Sequence, residues 1–287
     1  VNTDFIKEKA LSEFVVVEKL SKNTSHKLDS ETIGYREYQT FNEFLKRANS
    51  NIDTAKNNLS KKRYYSAMSN TFNTKIQLNY ISDSIDVLVN KDSNIVKNKI
   101  EAAQKELDEA NELISTESLS IRGITSFECL AASEKRAIEA ENLIADAWKN
   151  FYNQKYYDAV YYADFALERA KTAKLWMDIS KENSKGESII DESQIKYNAS
   201  QRIEDARLSL IYAQTLIGKN TLLTQSSELL TAAENEYEKG KYAAAIFDAI
   251  DSKVRSSVSI ELWSSGEDVI KPVSYTHLRA HATVLEL

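Results

Sequence analysis

The chain has 287 residues, of which only 6 are Gly and 1 is Pro, against average usages of about 7% and 5%. Such scarcity starves hairpin turns and phosphate-binding loops alike, and so argues against a β-sandwich, a barrel or a nucleotide-binding α/β fold. With 42% hydrophobic residues, 28% charged residues and a net charge of −6, the chain can bury a core and offers no basic field for nucleic acid.

Long helices with short polar links remain. No run of 18 apolar residues is long enough to span a membrane, and no charged-then-apolar leader opens the chain. The first residue is Val1 and the methionines are Met68 and Met177, so the reading expects an internal stretch of something longer. One cysteine, Cys129, permits no internal disulfide and leaves the redox compartment open.

In chain order, residues 1–25 read as a helix–strand segment. DFIKEKALSEF is helical in pattern, and Val15-Val16-Val17 reads either as one buried strand or as more helix. Residues 36–184 carry two helical hairpins and a connecting helix. Thr40 and Glu43, ahead of Phe44 and Leu45, have the spacing of a capping box that would start the first hairpin.

That hairpin is IDTAKNNLSKKRYYSAM (Ile52–Met68). Next, Val96, Ile100, Ala103, Leu107, Ala110 and Ile114 make an amphipathic stripe. The second hairpin is IADAWKNFYNQKYYDAV (Ile144–Val160). NSKGESIIDE, from Asn183 to Glu192, reads as the best linker, with one solenoid or a split at Lys185 both left open, and Asp191 with Gln194 as a weaker cap. Residues 191–266 then carry a stripe through Ile195, Ala199, Ile203, Ala206, Leu210 and Ala213. The third hairpin follows as LTAAENEYEKGKYAAA (Leu229–Ala244).

Gly266 and Pro272 stop the helical pattern. Residues 273–287 contain SYTHLRAH, which resembles an accidentally translated cloning adaptor, and are read as a non-native tail. His277 and His281 have a zinc-compatible i, i+4 spacing, but no acidic third ligand stands at a motif position. No metal or cofactor is expected.

The three hairpins align on tyrosine. Tyr65, Tyr157 and Tyr242 share a column, with Ala55, Ala147 and Ala232 ten residues before and Ala67, Ala159 and Ala244 two after. Each copy has a polar break (Lys61-Lys62-Arg63, Asn153-Gln154-Lys155, Lys239-Gly240-Lys241), and small residues at fixed offsets mark one supersecondary unit used three times. The turn resembles the tetratricopeptide hairpin, but the tyrosines lie 92 and 85 residues apart where tandem tetratricopeptides repeat every 34. Further helices must lie between them. The expected fold class is all-α, an elongated bundle or short solenoid of long antiparallel helices, with residues 1–25 as a possible α/β remnant.

The order of features, and above all KKRYYSAMSNTFNTKIQLNY (Lys61–Tyr80), resembles the C-terminal helical region of archaeal Lon-like serine proteases. The resemblance could cover Val1 to about Ser264. It implies a Ser/Lys-dyad proteolytic domain upstream, of which residues 1–25 would be the closing helix and strand, and an extracellular or membrane-anchored setting. The family's serine, in a Gly-Pro-Ser-Ala-Gly-like turn, and its later lysine have no counterpart here, so no catalytic residue is carried over.

What function this implies is non-catalytic: a helical scaffold or interaction region of a larger protease. The alternative is a free-standing tetratricopeptide-like adaptor for a partner protein or peptide. Tyr152, Tyr156 and Tyr161, in a tyrosine-crowded hairpin, are the candidate interaction surface, against a reading as core packing with hydroxyls at the edge. Trp148, Trp176 and Trp263 read as core, and Cys129 in FECLAA as a small buried hydrophobe. A Cys129–His26 nucleophilic pair has no supporting motif. Sequons at Asn23, Asn58 and Asn198 permit an extracellular setting without requiring one. Oligomeric state is left open.

Overall fold

A computed structural model describes residues 3–118, 121–184 and 191–265. Among them every regular element is a helix: α1 (Thr3–Ser30), α2 (Tyr35–Ser60), α3 (Tyr64–Asn90), α4 (Ser93–Glu117), α5 (Gly123–Tyr152), α6 (Tyr156–Asn183), α7 (Glu192–Ile217), α8 (Thr221–Glu238) and α9 (Tyr242–Ser265).

Among the described residues of the 1–25 segment there is no strand; α1 runs through Val15–Val17 without a break. Its buried positions, Ile6, Ala10, Val17, Thr24 and Leu28, step by four and seven residues, a helical and not an alternating period. Val17 is buried while Val15 and Val16 are exposed. The capping box at Thr40 is also absent. Helix α2 starts five residues earlier, after Gly34 in extended backbone. Thr40 Oγ1 instead donates to the Arg36 carbonyl at 3.0 Å, and Glu43 pairs with Lys46. Asp191 does cap α7, accepting from the Ser193 N–H at 3.0 Å.

The three predicted hairpins are α2–α3, α5–α6 and α8–α9, and one turn closes all of them. Lys62, Gln154 and Gly240 adopt φ of 58°, 60° and 74°. Around each, the backbone N–H donates three residues back (to Leu59, Phe151 and Tyr237), and the next N–H donates five back (to Asn58, Asn150 and Glu236). That is the Schellman arrangement, which satisfies the last carbonyls of the first helix.

Turn geometry therefore sets the register. Tyr64, Tyr156 and Tyr242 are equivalent, two residues past the left-handed position, as are the buried Ala55, Ala147 and Ala233, and Ala67, Ala159 and Ala245. The third copy in the tyrosine alignment was one residue off: Ala232 is only partly buried and Ala233 is wholly so. The first two copies offer Tyr-Tyr and the third only Tyr-Ala, so the column was matched to the wrong tyrosine of each pair.

Each hairpin is preceded by one helix parallel to its second member, so the repeat is three helices long. Along α1 and α3, Glu13 pairs with Lys75 and Lys27 with Asp86. Along α4 and α6, Glu106 and Glu109 hold Lys174, and Glu117 holds Lys181. Along α7 and α9, Lys196 lies over Tyr242 and Asp205 pairs with Lys253. Two hairpins close with reciprocal serine bonds: Ser126 with Ser180, and Ser226 with Ser252, each hydroxyl donating to the other's carbonyl at 2.8–2.9 Å. Small hydroxyl residues let the two backbones approach closely without leaving a polar atom unpaired.

The chain divides into two compact units. Of the described residues, one unit takes those up to Leu113 and Arg136–Ile179; the other takes those within Ile114–Lys135 and those from Ser180 to Ser265. α5 and α6 each supply residues to both units. Residues 185–190 and the tail at 273–287, with His277 and His281, lie outside the described residues.

In the first unit Leu28, Phe41, Leu45, Ala48, Leu78, Ile81 and Ile85 form a core cluster among α1, α2 and α3. In the second, the predicted stripe Ile195, Ala199, Ile203, Ala206, Leu210 and Ala213 is buried against Leu223, Leu230, Ala233 and Ala245. Trp263 is not core. It is 62% exposed, in the last turns of α9 beyond Ser259, which bonds the N-cap Asn220 of α8, so α8 does not extend alongside it.

Candidate functional site

The inner stripes of the three leading helices share one heptad spacing and can be aligned on it. Ala10, Val96 and Ala199 correspond, then Val17, Ala103 and Ala206, then Thr24, Ala110 and Ala213, all buried. The positions two, five and six residues beyond Val17, Ala103 and Ala206 are exposed in all three helices. In α1 they are Lys19, Lys22 and Asn23, and in α4 Lys105, Asp108 and Glu109. In α7 they are Leu208, Ile211 and Tyr212, exposed by 61%, 53% and 60%. Tyr197 and Leu216 are also exposed on α7, at 64% and 41%, with the exposed Gln201 and Glu204 between Tyr197 and Leu208.

This comparison is internal to one chain. α1 and α4 carry charged or polar side chains at these places, although α1 exposes apolar Leu11, Val15 and Val16 elsewhere on its surface. Single exposed hydrophobes are ordinary, and several on one helix are less so.

The candidate tyrosines fall in two places. Tyr152, 75% exposed, stacks on Trp148 at 5.7 Å, and Phe151 lies against both Tyr152 and Tyr156. Tyr161 belongs elsewhere, edge-on to Tyr80 and next to Tyr162 and Phe165. Tyr156 and Tyr157 line a groove of ≈ 660 Å³ with Val87, Leu88, Lys91, Asp92, Lys155 and Asp158 among its walls. That volume is within the range of small-ligand and peptide side-chain pockets. Tyr65 stacks on Trp176 at 6.3 Å, and Tyr242 packs on Tyr237 at 5.2 Å.

Cys129 is buried, and burial pushes its thiol up to about 12, the opposite of what a nucleophilic thiolate needs. His26 is exposed on α1.

Sequence reasoning missed the buried acids. In the first unit Asp83 and Asp164 face each other, Lys99 binds Asp83 at 2.6 Å, and neither oxygen of Asp164 finds a hydrogen-bond donor. Burial, and then Asp83, raise Asp164 well above the usual carboxylate range. Nearby, Lys75 joins Glu13 and Glu168. Burial alone would lower Lys75, and its two carboxylates more than reverse that. Arg169, over the rings of Phe72 and Phe165, is lowered to about 10 by burial and by Arg136.

In the second unit Glu134, Lys135, Glu236 and Asp248 form a like cluster. A signal for these acids was present: Asp164 and Glu168 lie in the helical column of Val160, and an acid in a core column is either buried or breaks the column. Among the described residues no set of three or more His, Cys, Asp or Glu is arranged to hold a metal ion, and no helix is long and apolar enough to cross a membrane.

Compared with known protein families, curated proteins and solved structures, the chain finds no match.

Proposed function

We propose that the chain is a non-catalytic helical-repeat scaffold that docks a protein partner on the outer face of α7. The observation that carries this reading is the replacement of the charged and polar positions Lys19, Lys22, Asn23 and Lys105, Asp108, Glu109 by Leu208, Ile211 and Tyr212 in the third repeat. An apolar strip on a straight helix suits a helix or a flat apolar patch on a partner. The inert Cys129 fits a chain that does no thiol chemistry. The parent protein we take to be a Lon-like protease, on the resemblance of Lys61–Tyr80 alone; the α7 face would then seat its proteolytic domain or a client segment.

The groove at Tyr156 and Tyr157 favours a second reading, a free-standing adaptor that takes a peptide there. Photo-crosslinking in the cells that produce the protein separates the two. A benzophenone amino acid is placed at Leu208 or Ile211, at Lys105 or Asp108 as controls, and at Tyr156. The scaffold reading expects discrete adducts from α7 and none from α4; a Ser/Lys-dyad domain in the α7 adduct would support the protease parentage. Adducts from Tyr156 alone would transfer the function to the groove. Equal labelling from α4 and α7 would remove the case for a docking face.

A further inference from the structure

Where α5 meets the α8–α9 hairpin, inside the second unit, acids outnumber bases. Glu134 and Lys135 come from α5, Glu236 from α8 and Asp248 from α9. Glu134, Glu236 and Asp248 are 4–5% exposed. Glu134 is occupied: its Oε2 accepts the Ala244 N–H at 2.9 Å and so caps the first turn of α9 from another helix, as an acid at a helix N-terminus does. Lys135 is occupied too, in an ion pair with Asp248.

Glu236 is then left with no cation of its own, and its Oε2 finds no donor. The other charges on these elements are engaged around it. Lys241, in the hairpin turn, acts on Glu134. Asp251 pairs with Arg255. From α7, Arg207 goes to Glu234 and Asp205 to Lys253. A second carboxylate charge beside Asp248 would be buried and uncompensated, which is costly. The economical state keeps a proton on Glu236 and donates it to Asp248.

We propose that this cluster is a proton latch: α8 is held on α9 by the proton shared between Glu236 and Asp248, α5 reaches the pair through Lys135, and alkalinisation loosens the assembly. Burial and Asp248 together raise Glu236 to about 9, and burial raises Glu134 to about 7. Both acids therefore bind protons more tightly folded than unfolded. The stability they hold is complete below pH ~4.5, and it is lost as pH rises through about 7 and then about 9.

The test is thermal unfolding of the full chain from pH 5 to pH 10, wild type against Glu236→Gln. The glutamine amide can donate to Asp248 at every pH. The latch predicts midpoints closest at pH 5 and a variant whose advantage grows with pH, reaching several degrees at pH 9.5. Coincident curves at all pH values, or a variant less stable at pH 9.5, would overturn it.

Carboxyl-carbon NMR on the wild type supplies an independent readout if the variant folds poorly. One glutamate must titrate near pH 9, and the protection of the Ala243 and Ala244 amides, measured against their intrinsic exchange rates, must fall with that titration. All glutamates titrating below pH 6, or protection that ignores the titration, would also sink the latch.

Discussion

At the residue scale, Lys62, Gln154 and Gly240 do the same work with different chemistry. All three sit in the left-handed region, which costs an L-residue with a Cβ roughly 1–2 kcal/mol and glycine almost nothing. A Cβ built on Gly240 meets nothing within 4 Å, so Gly240→Ala isolates the backbone cost, and urea unfolding should report a loss of about 1 kcal/mol. Gln154→Gly should gain about 0.5–1 kcal/mol, less than the full difference because glycine also loosens the unfolded chain. Cys129 gives a second check at this scale. With its thiol at about 12, roughly one molecule in ten thousand carries a thiolate at pH 8. Iodoacetamide should leave the native protein unmodified over hours and label it completely in denaturant.

At the element scale, helices and turns were legible because their signals are local. Apolar stripes gave α4 and α7, and the polar breaks gave the three hairpins, since short connections force consecutive helices to lie antiparallel. What local signals could not decide were choices settled by packing. Val15–Val17 is β-branched, but Val17 lies on the buried stripe of a 28-residue helix, and burial outweighs a modest propensity penalty. Thr40 and Glu43 fit a cap by spacing, yet the chain was already helical one turn earlier.

The third hairpin's register was hidden because two adjacent alanines, Ala232 and Ala233, fit the pattern equally well. Only the turn's hydrogen bonds tell them apart. That register is open to a direct check. Ala233→Leu, with 0% exposure, should cost about 1–3 kcal/mol through overpacking. Ala232→Leu, only partly buried, should cost less than about 1 kcal/mol. Equal costs in chemical denaturation would return the hairpin to the tyrosine-based register.

At the scale of the whole molecule, three copies of a three-helix unit follow one another along the chain, and function is read from where one copy departs from the others. The departure was invisible in α7 by itself, whose inner stripe is conventional. It appears once α1, α4 and α7 are aligned on their shared heptad spacing. The buried acids were hidden for a different reason: in a sequence where 28% of residues are charged, an aspartate on a helix reads as solvated until a neighbour covers it.

The proposed function holds that the α7 face is kept apolar for a partner and not for folding. That statement is tested most directly by the unfolding free energy of a triple variant, Leu208→Gln, Ile211→Gln and Tyr212→Gln, compared with wild type. The three side chains are more than half exposed, so the prediction is a change within about 0.5 kcal/mol per site, or a gain, with the α7 crosslink abolished. A loss of several kcal/mol would contradict it, because the strip would then be part of the protein's own core.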